Sequence, residues 1–345
     1  MYNLILEINM RIIVTGGLGF IGCHFIELLL SNENNKNLSI LNIDKITYAA
    51  NMSLIDEFDK FDNYKLKRVD IADREKIDNI FYEFEPDLLV HFAAESHVDN
   101  SIKSSDEFIK TNIIGTYNLL EATRKYLHLN KKEESFRFLH VSTDEVFGDL
   151  ADTNNFFTEE TKYDPSSPYS ASKASSDHLV RAWYRTYEVP ILITNCSNNY
   201  GPYHFPEKLI PKSIKNALIG KDIPIYGKGQ QIRDWLYVED HAKALYKVLT
   251  EGVPGETYNI GANNEKSNIE VINLVCSILD KKIPLTEGSY KDLIVFVDDR
   301  PGHDFRYAID SSKIKKELNW APSESFETGL EKTIEWFIEN KEWLA

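Results

Sequence analysis

Tyr169 and Lys173 stand four residues apart in the segment YSASK. On a helix that spacing puts both side chains on one face, one turn apart. A phenol titrates near ~10 and is a weak base at neutral pH, but a neighbouring ammonium stabilises the phenolate and lowers that value. Such a pair can take a proton from a hydroxyl while a hydride leaves the same carbon. A solvated helix face can carry the same spacing by chance, so the pair needs context. Thr143, Asp144 and Glu145 provide it in HVSTDEVFG, directly after an apolar run. That places them at the carboxyl end of a strand, where ligands bind in parallel α/β sheets. Two adjacent carboxylates on an exposed turn are usually just hydrated. Crowded into a partly dry pocket, one is pushed upward and stays protonated, leaving an acid and a base side by side. An oxidising pair beside an acid–base pair suits oxidation followed by elimination better than oxidation alone.

A third constellation says where the hydride would go. The segment GGLGFIG follows a strand-like run and opens a helix-like one, with Gly16, Gly19 and Gly22 spaced for a tight turn, close approach of a pyrophosphate and close helix–strand packing. A glycine loop alone is a weak signal; strand, turn and helix together make it a dinucleotide site. Asp44 ends LNID about 20 residues past the last glycine, where a carboxylate binds ribose hydroxyls and repels a 2′-phosphate, favouring NAD over NADP. Taken alone, Asp44 could be a cap or turn residue. Asp70, after LKRV, is either a partner for the adenine amine or the cap of the helix beginning DREK. Phe92 to Ser96, FAAES, ends a strand and is expected to line the cofactor.

These residues need a scaffold to hold them. RIIVTG, LSILNID, DLLVHFAA, RFLHVST and ILITNCS read as buried strands. Between them GFIGCHFIELLLSN, DREKIDNIFYEF, the stretch Asp106 to His128 and SASKASSDHLVRAWYRTYE read as helices. The pattern predicts an α/β protein with a doubly wound parallel sheet covered on both faces. After Tyr200, GPYHFPEKLIP and KDIPIYGKGQQIRDW are rich in loop residues, ETYNIGA reads as a strand returning to the sheet, and FETGLEKTIEWFIEN as an amphipathic helix. The expected division is a nucleotide-binding domain over 10–200, with 235–262 returning to it, and a smaller discontinuous α/β substrate domain over 201–234 and 263–345. Residues 2–9 read as a short extension.

The chain of 345 residues is 42% hydrophobic, enough for a sizeable core, and its net charge of -15 argues against a nucleic-acid partner. No run of roughly 18 apolar residues predicts a membrane span, and the N-terminus lacks the basic region and cleavage site of a secretory signal. Cys23, Cys196 and Cys276 are scattered and odd in number, which suits a reducing cytosol, ordinary buried thiols and no metal site. A cytoplasmic location follows. Arg233 and Arg300, isolated cations in Gly/Pro-rich loops of an acidic chain, are candidates to bind a diphosphate; for Arg233 the alternative is a local salt bridge with Asp234. Pro224 and Tyr226 could pack against a base, or Tyr226 could be ordinary core. In the 106–128 and 169–187 helices, Phe108, Ile109, Ile113, Ile114, Tyr117, Leu119 and Leu120, and Leu179, Val180, Trp183, Tyr184 and Tyr187, are too many for one buried face, which suggests a partner.

Nearly end to end, through GGLGFIG, AAESHVDNSI, STDEVFG, YSASK, NCSNNYGPYHFPEKLIP, IYGKGQQIRDWLYVEDH and RPGHDFRYAID, the chain resembles the extended short-chain dehydrogenase/reductase family. Within it the chain is similar to the nucleotide-sugar 4,6-dehydratases; a 4-epimerase is expected to lack the Asp–Glu pair. The resemblance implies a Rossmann-type sheet, bound NAD, a homodimer through the two helices above, and conversion of a nucleoside-diphosphate glucose to its 4-keto-6-deoxy derivative. The substrate would be dTDP-glucose, with UDP-glucose as the alternative; GDP-mannose dehydratase, UDP-glucose epimerase and a non-catalytic NAD sensor rank behind. By resemblance Tyr169 is the base, Lys173 its support, Asp144 the acid and Glu145 the C5 base, beside Thr143. The cofactor set is Gly16, Gly19, Phe20, Ile21, Gly22, Asp44, Lys45, Asp70, Ile71, Phe92, Ala93, Ala94, Ser96, Thr111, Tyr169, Lys173 and Asn199. The substrate set is Ser96, Asn198, Lys208, Leu209, Pro224, Tyr226, Arg233, Asn268, Arg300 and His303.

Overall fold

In the computed structural model, residues 10–344 are described, except 33, 34, 36, 133, 134 and 152. The expected extension over residues 2–9 lies outside the described residues. Strands β1 (Arg11–Thr15), β2 (Ser39–Asp44), β3 (Tyr64–Arg68), β4 (Leu88–His91), β5 (Arg137–Thr143) and β6 (Ile191–Cys196) come first. After the short β7 (Asn198–Tyr200), β8 (Ile223–Tyr226) and β9 (Ile232–Tyr237), β10 (Thr257–Ile260) pairs with β6 in parallel. Last come β11 (Glu265–Ser267) and β12 (Ile294–Val297). The main sheet has seven strands in the order β10-β6-β5-β4-β1-β2-β3. Its order reverses between β1 and β4, the switch point outside which ligands bind in such sheets.

The continuous apolar strands work as both-sides-buried strands do. Ile12, Val14, Leu88, Val90, Leu139, Val141 and Leu192 point to one face and pack on helices α1 (Phe20–Ser31) and α9 (Val238–Glu251). Ile13, Leu89, Phe138, Ile191 and Ile193 alternate to the other face, against α3 (Arg74–Phe84), α6 (Thr116–Asn130) and α7 (Pro168–Tyr187). Shorter helices, α2 (Ser53–Phe58), α4 (Val98–Lys103) and α5 (Asp106–Phe108), occupy the connections. A second lobe packs α8 (Leu209–Leu218), α10 (Asn268–Lys282) and α12 (Phe326–Glu339) around Ile214, Ile272, Val275 and Ile334, with α11 (Ser312–Leu318) on the main core.

Two segments differ from the sequence reading. KDIPIYGKGQQIRDW, read as loop, contains β8 and β9. β8 pairs with β12 and β9 with β7 and β11, so distant partners outweigh the local Gly and Pro signals. The stretch from Asp106 is not one regular helix: Ile109–Gly115 winds as a π-helix between α5 and α6. The wide turn aims the buried Asn112 inward, where it accepts from Glu95 N (2.9 Å) and donates to Glu95 O (3.0 Å) and Ser172 Oγ (2.8 Å). At its end Gly115 lets the helix approach Ile71, whose side chain would lie 2.5 Å from any Cβ there.

Helix α7 starts where its sequence says it must. Pro168 occupies the first turn, and Ser167 caps it by accepting from Ser170 N (3.0 Å), with the Ser170 hydroxyl answering Ser167 N. Tyr169 is one residue further on. Ser167→Ala is therefore expected to cost about 1 kcal/mol and to lower the thermal midpoint by about 2 °C. Calorimetry showing no loss would remove the cap from the account of this helix.

Candidate active site

The cleft opens at the switch point. Gly16 lies at φ +71°, and a Cβ there would meet the Ala93 backbone at 2.7 Å; one on Gly22 would meet Gly16 O at 2.3 Å. Helix α1 begins at Phe20 with no side-chain cap, leaving its positive N-terminus to the cleft. Asp44 accepts from Leu18 N (3.0 Å) and Ile46 N (2.8 Å). It is thus a turn residue and also a wall of the cleft, its carboxylate aimed beside the glycine loop. Burial raises its proton affinity and the two amides oppose that. The cap of α3 is Asp73, whose side chain accepts from Lys76 N, and not Asp70. Asp70 instead lines the cleft and pairs with Lys45 at 3.6 Å, while Lys45 also holds Glu107 at 3.0 Å. Buried oxygens without protein partners, Thr111 Oγ1, Ser197 Oγ and Asn198 Oδ1, face the same space. A floor that tolerates no Cβ, an uncapped helix start and a carboxylate at the end of β2 fit a dinucleotide.

Every residue assigned above to the cofactor or to chemistry lines this one cleft, together with Ser96, Asn198, Lys208 and Leu209. At its far end β5 delivers Thr143 and turns through Asp144–Phe147, while α7 delivers Tyr169 and Lys173. Asp144 is 1% exposed and its Oδ2 has no protein partner. Burial, then repulsion from Glu145 and Asp234, hold its carboxyl well above the usual range, which favours the protonated form. Burial also raises Glu145, but Lys208, Arg233 and Arg300 pull it back. The two neighbours therefore divide into a protonated acid and a more readily ionised base.

One expectation needs correction. The phenol of Tyr169 is not brought down: burial, with the charges of Glu145 and Asp144 and the nearby Cys196, pushes it well above its ordinary value, against a hydrogen bond from Thr143. The Lys173 ammonium donates instead to Val141 O at 2.9 Å. The i, i+4 spacing brings the two side chains to one cleft, but burial in this dry site raises the phenol.

The remaining substrate candidates, Pro224, Tyr226, Arg233, Asn268, Arg300 and His303, belong to the second lobe and lie outside the cleft wall. Arg233 makes no salt bridge with Asp234, whose carboxylate accepts from Ala262 N and Asn264 N. Its guanidinium sits 4.2 Å above the Tyr307 ring and donates to Ile232 O (2.7 Å) and Asp304 O (2.9 Å). Arg300 approaches Asp99 at 3.7 Å, Tyr226 OH donates to the same carboxylate (3.3 Å), and His303 pairs with Asp299 at 2.6 Å. Lys208 Nζ donates to Ser96 O (3.0 Å) across the two lobes. Sequence reasoning missed Cys196 and Trp235 as cleft residues, and Asp99 as the anchor of Tyr226 and Arg300. The position of Cys196 at the carboxyl end of a strand was the available signal. With Asp44 placed as it is, the protein is expected to bind NAD at least about a hundredfold more tightly than NADP. Equal affinities by titration calorimetry would remove Asp44 from ribose recognition.

The sequence model of the family described as GDP-mannose 4,6 dehydratase matches residues 13–333. The dTDP-glucose 4,6-dehydratase of Neisseria meningitidis serogroup B is 56% identical over 338 residues, covering 96% of this chain and 94% of that one. Among solved structures, DesIV, the dTDP-glucose 4,6-dehydratase of Streptomyces venezuelae with NAD and dTDP bound, is 39% identical with a TM-score of 0.88, covering 97% of this chain and 98% of that one. The Bacillus anthracis dTDP-glucose 4,6-dehydratase in complex with NAD is 43% identical, with a TM-score of 0.83 and the same coverage. With a cleft built for a dinucleotide and an adjacent pair of carboxyl groups beside its tyrosine and lysine, the chain belongs to the family of NAD-dependent nucleotide-sugar 4,6-dehydratases.

Proposed function

We propose that this protein converts dTDP-glucose to dTDP-4-keto-6-deoxyglucose and water; its relatives are named dTDP-glucose 4,6-dehydratases. The observation that carries the reading is the Asp144–Glu145 pair, with Asp144 buried and Glu145 partly buried at one end of the same cleft as Tyr169 and Lys173. Bound NAD would supply the hydride acceptor and return the same hydride to the sugar. Tyr169 takes the proton of the C4 hydroxyl, with Lys173 and Thr143 beside it. The C4 ketone acidifies C5–H, and Glu145 removes that proton. Asp144, kept neutral by burial, protonates the C6 hydroxyl, which leaves as water. Glu145 then returns a proton to C5, and the proton gained by Tyr169 balances the one lost by Asp144. Ser96, Asn198, Lys208, Leu209, Asn268, Arg233, Arg300 and His303 hold the nucleotide diphosphate, and Pro224 and Tyr226 flank the base.

The proposed working unit is a homodimer. Phe108, Leu119, Leu120 and Val180 are consumed by the chain's own core, but Ile109, Ile114, Tyr117, Tyr184 and Tyr187 remain exposed on the π-helix, α6 and α7. The proposed domains are 10–200 with 235–262, and 201–234 with 263–345. Among the described residues no helix is long and apolar enough to cross a membrane; the proposed location is the cytoplasm, for which the three free, buried cysteines are the support.

Asp144→Asn should still accumulate enzyme-bound NADH on adding substrate, but lose water ~10²-fold more slowly. Nearly normal turnover would take Asp144 out of the mechanism. The whole reading is tested by the path of one hydrogen. Substrate deuterated at C4 should give product carrying deuterium at C6, and reaction in heavy water should label C5. An epimerase would return the label to C4, and a simple dehydrogenase would pass it to free NADH. Product lacking deuterium at C6, by NMR and mass spectrometry, would overturn the assignment.

A further inference from the structure

We propose that Asp177, one turn beyond Lys173 on α7, is a positioning residue of the reaction: it pins the catalytic helix to the sheet and supplies the fixed counter-charge for the Lys173 ammonium. The inference rests on Tyr169 and Lys173 being the oxidising pair. Asp177 is completely buried and does not line the cleft, so it touches neither cofactor nor substrate. Its carboxylate accepts from three separate parts of the chain: His140 Nε2 (3.0 Å) and Ser142 Oγ (2.9 Å) on β5, Asn195 Nδ2 (3.4 Å) on β6, and Tyr163 OH (2.8 Å) in the segment preceding α7. Between His140 and Ser142, the carbonyl of Val141 takes the Lys173 ammonium. Three consecutive β5 residues therefore hold two α7 side chains one turn apart. That arrangement fixes the rotation of α7 about its axis and its position along it, and Tyr169 lies one further turn up the same face.

Hydrogen bonding alone does not call for a charge here, since an ionised carboxylate is expensive to bury. The charged and titratable groups facing it show what the charge is for. His140 on β5 is held down to about 4 by burial and is neutral at physiological pH. Tyr163 is a neutral phenol, itself bonded to Arg181 of α7 at 2.9 Å. Lys173 is the cation one turn back on the same helix face, with the thiol of Cys196 and the neutral His91 completing its surroundings. Burial drives Lys173 below its ordinary range, and Asp177 is the largest influence opposing that loss. Without the carboxylate, Lys173 would release its proton at a lower pH, so activity would fail from the alkaline side.

The test compares the pH dependence of kcat for dTDP-glucose in wild type, Asp177→Asn and the double variant Ser142→Ala/Tyr163→Phe, each with NAD. In Asp177→Asn the alkaline limb should move about one unit lower, with kcat roughly tenfold down at mildly alkaline pH and KM within about threefold. The double variant removes two tethers but keeps the charge, so its kcat should fall roughly fivefold or more with an unmoved limb. An unmoved limb in Asp177→Asn, or an equal shift in the double variant, overturns the counter-charge role. Should Asp177→Asn not fold, the double variant decides, and wild-type kcat there overturns the positioning role. Wild type that forms no 4-keto product would instead sink the oxidising-pair assignment, which separates the two failures.

Discussion

Water exclusion at the carboxyl ends of β5 and β6 is the constraint on which this protein depends. Asp144, Glu145, Tyr169, Lys173 and Asp177 are all ionisable and all shielded, and for each of them burial is the largest influence on its proton. In water the acid and base would titrate together as two ordinary carboxylates. In this pocket burial favours the protonated form of Asp144, while the cations of the second lobe oppose part of the rise that burial imposes on Glu145. A single fold therefore provides both protonation states at one pH. The same dryness sets its own demand: the phenol of Tyr169 is driven the wrong way for a base, so positive charge must be kept close to it. Lys173 provides that charge only while Asp177 keeps it protonated.

The glycine floor and the second lobe serve this constraint from opposite sides. Gly16 and Gly22 let strand, loop and helix close on one another with no room for a Cβ. Arg233 is held by carbonyls of its own lobe and by the Tyr307 ring, so its charge arrives at the carboxylate pair on a rigid mount rather than on a free arm. The lobes meet through Lys208 and Ser96, and through Asp99 with Tyr226 and Arg300.

Much of this was legible in the sequence, for identifiable reasons. The main strands are continuous apolar runs, which little but a covered parallel sheet can use, and the glycines and Asp44 carry a register that turns do not require. Tyr169 and Lys173, and Thr143 to Glu145, are local motifs whose position follows once the strands are placed. What could not be read depends on distant partners. β8 and β9 are strands because β12, β7 and β11 receive them, and the π-helix exists because Asn112 reaches Glu95 and Ser172. The direction of the Tyr169 shift was misjudged because spacing gives neighbours along a helix but says nothing of how completely the fold buries the phenol. The alternative reading of Asp70 as a helix cap falls to Asp73, within the same turn, a distinction below the resolution of pattern reasoning.

The placement of β10 bears on how the chain can be made. The sheet's edge strand is Thr257–Ile260, beside β6, and the whole of β7 to α9 is synthesised between the two. A nascent chain emerging from the ribosome thus presents β6, Ile191–Cys196, as a bare edge with every residue destined for burial. Such an edge is a template for pairing with other chains. The sheet cannot be completed until translation has passed Ile260, so its assembly is governed by a segment that arrives late, and shortened chains ending before that point would be released with β6 uncovered.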